Sequence, residues 1–276
     1  MELLLSPLFS GSSGNAVYVG AGRTGILVDA GVSCARVVSE MKATGIDPAA
    51  LSAILITHEH SDHVAGAGIL SRKFDLPIYA TEGTWSAMAE KLGAVSAKNI
   101  RVIESGQDFY IGDLDISPFP LPHDAADPCG YAFTCGRLRA AIATDIGCLR
   151  EGWLKAVSGC ELVLLESNYD PGMLKAGRYP YALKTRILGT KGHLSNEDCA
   201  DLAARLCAAG AGKLILAHLS RENNRPELSL QTVEMHLQAL GYAAEVLAAP
   251  MDGFCSIEFE GRESACCSSG SSAAAG

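Results

Sequence analysis

The chain has no long apolar run and no excess of basic residues, and both absences exclude classes of protein. Its 276 residues contain no stretch of about 18 apolar residues, so we expect no membrane-spanning helix. The segment Met1–Leu5 has no basic region and does not resemble a signal peptide. A net charge of −9 gives no general attraction for polyanions.

Cysteine spacings typical of disulfide frameworks are also missing, although the chain contains ten cysteines. No Cys-x-x-Cys spacing occurs, and most of the cysteines stand singly in apolar runs, as Cys135 and Cys160 do. This distribution is typical of buried free thiols in a reducing compartment rather than of a disulfide framework. The sequence therefore predicts a cytoplasmic protein without disulfides.

Segments with two different apolar patterns alternate along the chain and predict an α/β fold. Short runs such as Ile54–Ile56 and Leu214–Ala217 read as buried strands, and residues 197–208 read as a helix. No linker rich in proline or serine interrupts residues 1–261, so we expect one domain there. Residues 262–276 are mostly small, which predicts a disordered tail.

The most informative segment is Thr57–His63, which reads Thr-His-Glu-His-Ser-Asp-His and follows a short apolar run. His58 and His60 are two residues apart, so in an extended segment they point to the same side. Asp62 and His63 would begin the next helix and face the same point. Imidazole and carboxylate groups at this density suit zinc, manganese or iron. The segment therefore predicts a metal site.

Four further residues give the chain a resemblance to the metallo-β-lactamase-fold hydrolases. Each follows an apolar run in the order of that family's motifs: Asp29, His123, Asp145 and His218. Together with the histidine-rich segment they cover most of the chain. The resemblance implies a four-layer αβ/βα sandwich with the metal site at one edge, and the activity of a metal-dependent hydrolase.

The resemblance also implies two divalent metal ions, zinc or manganese, with iron as an alternative. The ligands that it assigns are His58, His60 and His123 for the first ion and Asp62, His63 and His218 for the second. Asp145 would bridge the two ions, which in such sites lie about 3.5–4 Å apart. Asp62 is also expected to take part in catalysis. Asp29 would accept an imidazole N–H and fix its tautomer, although a plain turn residue would also suit this position.

Several short motifs resemble the WalJ/YycJ family of exonucleases in particular. They are Ser10–Asn15, Leu165–Asp170, Tyr179–Pro180, Leu183–Ile187 and His218–Asn224. The similarity extends from about Leu4 to Leu228. More distantly, Gly192–Asp198 is similar to the C-terminal half of tRNase Z. The WalJ/YycJ resemblance implies a cytoplasmic exonuclease that degrades DNA from a 5′ end.

His193 is expected to act as a general acid, because its counterpart in the tRNase Z motif lies beside the metals. A simpler interpretation is that Ser195 and Asp198 cap the following helix and that His193 is only a surface neighbour. Both interpretations can hold together. Side chains expected to contact substrate are Ser12, Ser13, Asn15, Asn168, Lys184, Arg186, Arg221 and Asn223. The first three lie in a glycine-rich turn that either cradles phosphate or only closes a hairpin.

One segment departs from the acidic balance of the chain. From Asp170 to Gly192 there are five basic residues and one acid, with Tyr179 and Tyr181 among them. A solvated loop can have this composition. A basic rim around a metal site would also have it, and would suit a phosphate-containing substrate.

Three functions follow from these patterns. The first is a dinuclear metal-dependent phosphodiesterase, expected to be a 5′→3′ DNA exonuclease, with RNA processing as a variant. The second is a thioester or lactone hydrolase of the glyoxalase II type. The third is a nucleic-acid-binding module without catalysis. The basic segment and His193 favour the first function, and the intact ligand set argues against the third.

Overall fold

A computed structural model describes residues 2–250 and 257–260, and these form fourteen strands and nine α-helices. The strands are β1 Glu2–Phe9, β2 Ala16–Ala21, β3 Thr24–Val28, β4 Leu51–Leu55, β5 Ile78–Thr81, β6 Ile100–Ile103, β7 Phe109–Ile111, β8 Leu114–Pro120, β9 Cys129–Cys135, β10 Leu138–Ala143, β11 Leu162–Glu166, β12 Lys213–Ala217, β13 Glu245–Ala248 and β14 Ile257–Glu260. The helices are α1 Cys34–Ala43, α2 Ser61–Val64, α3 Ala67–Phe74, α4 Glu82–Leu92, α5 Glu151–Val157, α6 Pro171–Ala176, α7 Tyr181–Ile187, α8 Asn196–Ala208 and α9 Pro226–Ala239.

The strands form two seven-stranded mixed sheets. The first has the order β14-β1-β2-β3-β4-β5-β6 and the second β13-β12-β11-β10-β9-β8-β7. Strands β3 to β6 are parallel to one another, and so are β10 to β13. The carboxyl ends of parallel strands meet at one edge of a sheet, where ligand sites of α/β proteins form.

Three apolar clusters show that the molecule has four layers. The central cluster contains side chains from both sheets, among them Leu5, Ile26 and Phe133. A second cluster joins the outer face of the first sheet to α1, α3 and α4, and a third joins the other sheet to α5, α8 and α9. Because both faces are covered, β3 and β11 are buried at every residue. The predicted αβ/βα sandwich is confirmed.

The basic segment differs most from its sequence-based description, because it folds into α6 and α7 rather than a loop. Asp170 caps α6 by accepting a hydrogen bond from the Met173 amide at 2.7 Å. Leu174 and Ile187 anchor the two helices in a small apolar cluster. Each helix has two turns or fewer, so neither produces a readable 3.6-residue period. Helix α5 was not predicted, for the same reason.

Other sequence-based expectations concern cysteines, membrane spans and the end of the chain. None of the seven described cysteines forms a disulfide; five of them are buried, and Cys148 and Cys207 are partly exposed. Burial raises the pKa of Cys129 and Cys199 to about 12, so these thiols are unreactive. No helix in the described ranges is long and apolar enough to cross a bilayer. The tail predicted for 262–276 lies outside the described residues.

Candidate metal centre

The segments that follow β3, β4, β8, β10 and β12 bring the predicted ligands to one edge of the sandwich. Asp29, Asp145 and His218 adopt left-handed backbone conformations there, with φ of 60°, 62° and 57°. This conformation is uncommon for residues other than glycine and costs free energy. It turns the chain sharply as it leaves the strand, and three such turns place their side chains in the same small space.

The predicted metal ligands form two groups of donor atoms. The donors of His58, His60 and His123 lie within 4.8 Å of one another, and so do those of Asp62, His63 and His218. Asp145 lies between the groups. Its carboxylate oxygens are 3.5 Å from His63 Nε2 and 3.7 Å from His123 Nε2. The structure therefore brings together all seven residues predicted from the sequence.

Four of these imidazoles are held in the same way, through Nδ1. His58 Nδ1 lies 3.0 Å from the Thr57 hydroxyl, and His63 Nδ1 lies 2.8 Å from Asp29 Oδ2. His123 Nδ1 lies 3.2 Å from the carbonyl of Gly192, and His218 Nδ1 lies 2.8 Å from Glu166 Oε1. A ring that donates from Nδ1 directs the lone pair of Nε2 to the opposite side, where a metal can accept it.

The buried polar atoms test whether these residues fit a metal. Nε2 of His58, His123 and His218 and Oδ2 of Asp145 are buried and lack a hydrogen-bond partner. An unpartnered buried polar atom costs about 1–3 kcal/mol, so four at one point require an explanation. Divalent cations supply it, because nitrogen and carboxylate oxygen donors suit zinc, manganese and iron. The residues present fit a divalent metal site.

Asp29 has the positioning role that its place in the sequence predicts, and Thr57 extends it. Asp29 Oδ1 accepts from the Thr57 amide and Oδ2 from the Thr57 hydroxyl, both at 2.8 Å. With its contact to His63, this buried carboxylate fixes one ligand directly and His58 through Thr57. Thr57 had no predicted role, although it is the residue immediately before the first ligand.

Glu166 is the important residue that the sequence did not reveal. It ends β11, has no exposed surface, and its Oε1 lies 2.8 Å from Nδ1 of both His193 and His218. Its Oε2 accepts from the amides of Ile146 and Leu194 at 2.8 and 3.0 Å. Every acceptor position of this carboxylate is therefore used, and it fixes a metal ligand and the predicted general acid together. The available signal was an acidic residue at the end of an apolar strand.

Charges in this cluster shift its pKa values away from their ordinary range. Burial alone would lower the pKa of His63, but the carboxylates of Asp29 and Asp145 outweigh it and raise the pKa to about 9. Burial alone would also lower the pKa of His218, but the nearby carboxylates of Asp145, Asp62 and Glu166 outweigh it and raise the pKa. Without metal, His63 is therefore protonated at neutral pH. The stability that this proton contributes is complete below about pH 6.5 and is lost as pH rises through about 9.

Metal binding is accordingly expected to release protons, because an imidazole must be neutral to bind a cation. Near neutral pH the proton of His63 should leave, and this contribution to the release should disappear above the pKa of about 9. Titration calorimetry in buffers of different ionisation enthalpy measures the number released. Asp29→Asn should release fewer protons, since it removes one of the charges that raise this pKa. Equal release on both sides of pH 9 would contradict the assignment.

A cavity opens beside the two donor groups and contains several other predicted site residues. Ser12, Asn168, Arg186 and His193 line it together with metal-site residues. Arg186 forms a salt bridge with Asp124, whose other oxygen lies 3.3 Å from His123 Nε2 without the geometry of a hydrogen bond. This bridge fixes α7 at the rim of the metal centre.

Other predicted substrate contacts lie elsewhere. The described residues that line this cavity do not include Ser13, Lys184, Arg221 or Asn223. Asn223 is buried, and its backbone amide donates a hydrogen bond to Ser220 Oγ at 3.2 Å, which shapes the loop after β12. Lys184 Nζ donates to the Lys175 carbonyl at 2.7 Å.

Asn15 shapes the glycine-rich turn, and His193 combines the predicted cap with a position at the cavity. Asn15 is buried, accepts the Gly11 amide at 3.0 Å and lies 3.1 Å from His63 Nε2, so it shapes the glycine-rich turn against the metal centre. The predicted cap is present, since Ser195 Oγ accepts from the Asp198 amide at 3.0 Å. His193 nevertheless has only 22% of its side chain exposed and faces the cavity, so capping and a site position coexist.

Comparison with known proteins agrees with this geometry. Residues 24–219 match the model of the family described as the beta-lactamase superfamily domain. The chain is 39% identical over 242 residues to Exodeoxyribonuclease YycJ of Bacillus anthracis, covering 88% of this chain and 92% of that protein. It is 40% identical over 230 residues to Exodeoxyribonuclease WalJ of Streptococcus pneumoniae, covering 83% and 86%.

A solved structure supports the fold independently. The metallo-β-lactamase-fold protein YhfI from Bacillus subtilis superposes with a TM-score of 0.71 at 16% identity, covering 93% of this chain and all of that one. At this identity the match establishes the fold alone. The two relatives at about 40% identity match over most of their length, which establishes closer kinship. The chain therefore belongs to the beta-lactamase superfamily and, within it, to the metallo-β-lactamase-fold family that contains YycJ and WalJ.

Proposed function

We propose that this protein is a metal-dependent exonuclease that hydrolyses DNA from a 5′ end in the cytoplasm. Two divalent ions, zinc or manganese, would be held by the two donor groups, with Asp145 shared between them. The names of YycJ and WalJ support DNA as the substrate, because both are exodeoxyribonucleases. The 5′→3′ direction rests on the motifs that resemble that family.

The observation that carries this proposal is the pair formed by His193 and Glu166 beside the donor groups. When bound, divalent ions supply the Lewis acidity that phosphodiester hydrolysis needs. The leaving 3′-oxygen also needs a proton, and a side chain at the cavity wall must deliver it. Glu166 holds Nδ1 of His193 at 2.8 Å, which leaves Nε2 for proton transfer to the substrate. His193 would act as the general acid, with Glu166 positioning it.

The remaining cavity residues suit an anionic substrate. Arg186 lies at the rim in its bridge to Asp124, and a guanidinium can pair with two phosphate oxygens. We infer that a phosphate group competes with Asp124 for this side chain when substrate enters. Ser12 and Asn168 would contact the sugar-phosphate backbone from other sides of the cavity.

A single assay tests this function against its alternatives. Purified protein loaded with Mn²⁺ or Zn²⁺ would be incubated separately with labelled single-stranded DNA, duplex DNA, RNA and a thioester. Stepwise shortening of DNA from the 5′ end is the expected result, and labels at either end distinguish the direction. Cleavage of the thioester alone would establish the glyoxalase II type of activity instead. Binding of DNA without cleavage by any metal-loaded form would favour a module without catalysis.

Basic side chains outside the cavity are expected to strengthen binding of the DNA chain. Lys175, Arg178 and Lys191 are exposed on the segment that carries α6 and α7, in a protein that is acidic as a whole. Replacing all three with glutamine should weaken DNA binding and flatten its salt dependence, because fewer counterions are released. For a single strand, each lost phosphate contact removes about 0.7 from the slope of log K against log salt.

The control for this prediction replaces Lys42, Lys73 and Lys98 with glutamine. These lysines lie on or beside helices that cover the first sheet, and they are not among the described residues that line the cavity. If both triple variants reduce the slope equally, the effect reflects overall charge and the segment has no special role. Fluorescence anisotropy with a labelled oligonucleotide over a range of salt concentrations measures the salt dependence of binding.

A further inference from the structure

We propose that Tyr179, Leu183 and Ile187 form a platform that binds the base of the nucleotide next to the scissile phosphate. This inference rests on the proposed function and specifies part of its substrate: an unpaired nucleobase, recognised through its flat face. All three side chains line the cavity that contains His193 and the donor groups. We call them the base platform.

The base platform is the apolar part of an otherwise polar cavity. Tyr179 and Leu183 are partly buried and pack against Ile187 in one small cluster with Tyr169 and Leu174. Their cavity-facing surfaces therefore offer one aromatic ring and two aliphatic side chains. Residues with charged or polar side chains line much of the rest of the cavity, among them the metal donors, Arg186, Ser12 and Ser220. A ligand that fills this space needs an anionic part and a flat, weakly polar part.

A nucleotide has both parts. The cavity encloses about 210 Å³ and opens to solvent, which is less than the roughly 300–1,000 Å³ of ordinary small-molecule sites, so the rest of the nucleic-acid chain would lie outside it. With the phosphate near the metal donors and Arg186, the base would meet the platform. Stacking on an aromatic side chain is available to every base, so the platform would accept bases without regard to sequence.

The backbone of the platform is tied to the segment that carries His193. The His193 amide donates to the Ile187 carbonyl at 3.1 Å, which ties the end of α7 to the general acid. The contact is tight, since a Cβ at Gly192 would lie 2.0 Å from the same carbonyl oxygen. Tyr179 precedes Pro180, and proline biases the backbone of the preceding residue towards extended conformations. A platform with a restricted backbone loses less conformational entropy when a base binds.

One consequence is that the nucleotide to be cleaved must be unpaired. A base cannot lie on this platform and also remain paired and stacked within a duplex, so entry from duplex DNA carries the cost of unpairing. Single-stranded and frayed ends should therefore be cleaved faster than blunt duplex ends.

The test removes each partner of the contact in turn. One single-stranded oligonucleotide carries a normal nucleotide next to the scissile phosphate, and a second carries a tetrahydrofuran abasic nucleotide there. For the wild-type enzyme, kcat/KM should fall about 5- to 100-fold on the abasic substrate. Tyr179→Ala should show a similar fall on the normal substrate and little further loss on the abasic one. This non-additivity is the signature of a direct contact.

Companion variants keep the result interpretable. Tyr179→Leu preserves apolar packing in the cluster but lacks the ring, so it should also lose most of the dependence on the base. Tyr179→Phe keeps the ring and should keep the dependence of the rate on the base. Tyr110→Ala, on edge strand β7 and outside the cavity, should match wild type on both substrates; its side chain is 73% exposed.

A failure of the base platform and a failure of the proposed function give different experimental results. If wild-type enzyme loses nothing on the abasic substrate, or if Tyr179→Ala loses equally on both, the base platform is wrong while the nuclease stands. If metal-loaded wild type cleaves neither oligonucleotide nor a nitrophenyl phosphodiester, the proposed function itself fails.

Discussion

Replacing Asp145 with alanine is expected to remove bound metal and to abolish hydrolysis. Its carboxylate lies 3.5 Å from His63 Nε2 and 3.7 Å from His123 Nε2, so it approaches one ligand of each donor group. Without it, the two groups lose their shared carboxylate. Elemental analysis should find about two ions per wild-type chain and almost none in the variant. The activity loss should exceed the roughly 10- to 100-fold that an outer-shell partner costs.

A matched control separates metal loss from backbone strain. Asp75 has the same left-handed conformation, with φ of 55° against 62° at Asp145, but it ends α3. Asp75→Ala therefore imposes the same backbone cost without touching a donor group, and it should retain both ions and full activity. Full metal content in Asp145→Ala would rule out a bridging carboxylate, and a wild-type content of one ion per chain would rule out a dinuclear site.

The donor groups were predictable because their residues follow strand ends, with four ligands after β4 and one each after β8, β10 and β12. Asp29, His123, Asp145 and His218 all come shortly after apolar runs, and parallel strands deliver their carboxyl ends to one edge. This pattern can be recognised without knowing how the two sheets pack. A motif that is local in sequence and repeated at several strand ends can be identified from a single sequence.

Other features of the site depend on contacts that no local pattern records. Glu166 acts on His193 across 27 residues, and Arg186 meets Asp124 across 62. The sequence predicted Arg186 as a phosphate ligand, but its salt bridge with Asp124 depends on where α7 packs in the folded chain. Helices α6 and α7 are too short to show a period, so the cavity wall that they form was described only as basic composition. Such features require the tertiary structure.

His193→Ala is expected to slow DNA hydrolysis by about 10²- to 10⁴-fold, the usual contribution of a positioned general acid. Metal content should not change, because Glu166 keeps its 2.8 Å contact to His218 when His193 is absent. The loss should shrink sharply on a nitrophenyl phosphodiester, since nitrophenolate leaves without a proton. His236→Ala is the control histidine; it pairs with Asp201 on the surface at 3.2 Å and should match wild type on both substrates.

Glu166→Gln distinguishes positioning from proton transfer itself. Glutamine keeps the shape, and its carbonyl oxygen can still accept from the two rings. Its NH₂ group then faces the amides of Ile146 and Leu194, and the negative charge is lost. We expect slower DNA hydrolysis, a displaced pH–rate profile and weaker metal binding, because one of the two rings is a ligand. The His193 variant should shift the profile without weakening metal binding.

An equal loss on both substrates in His193→Ala would mean that this residue orients the phosphate. No loss on either would leave Ser195 and its helix cap as the only role of this segment.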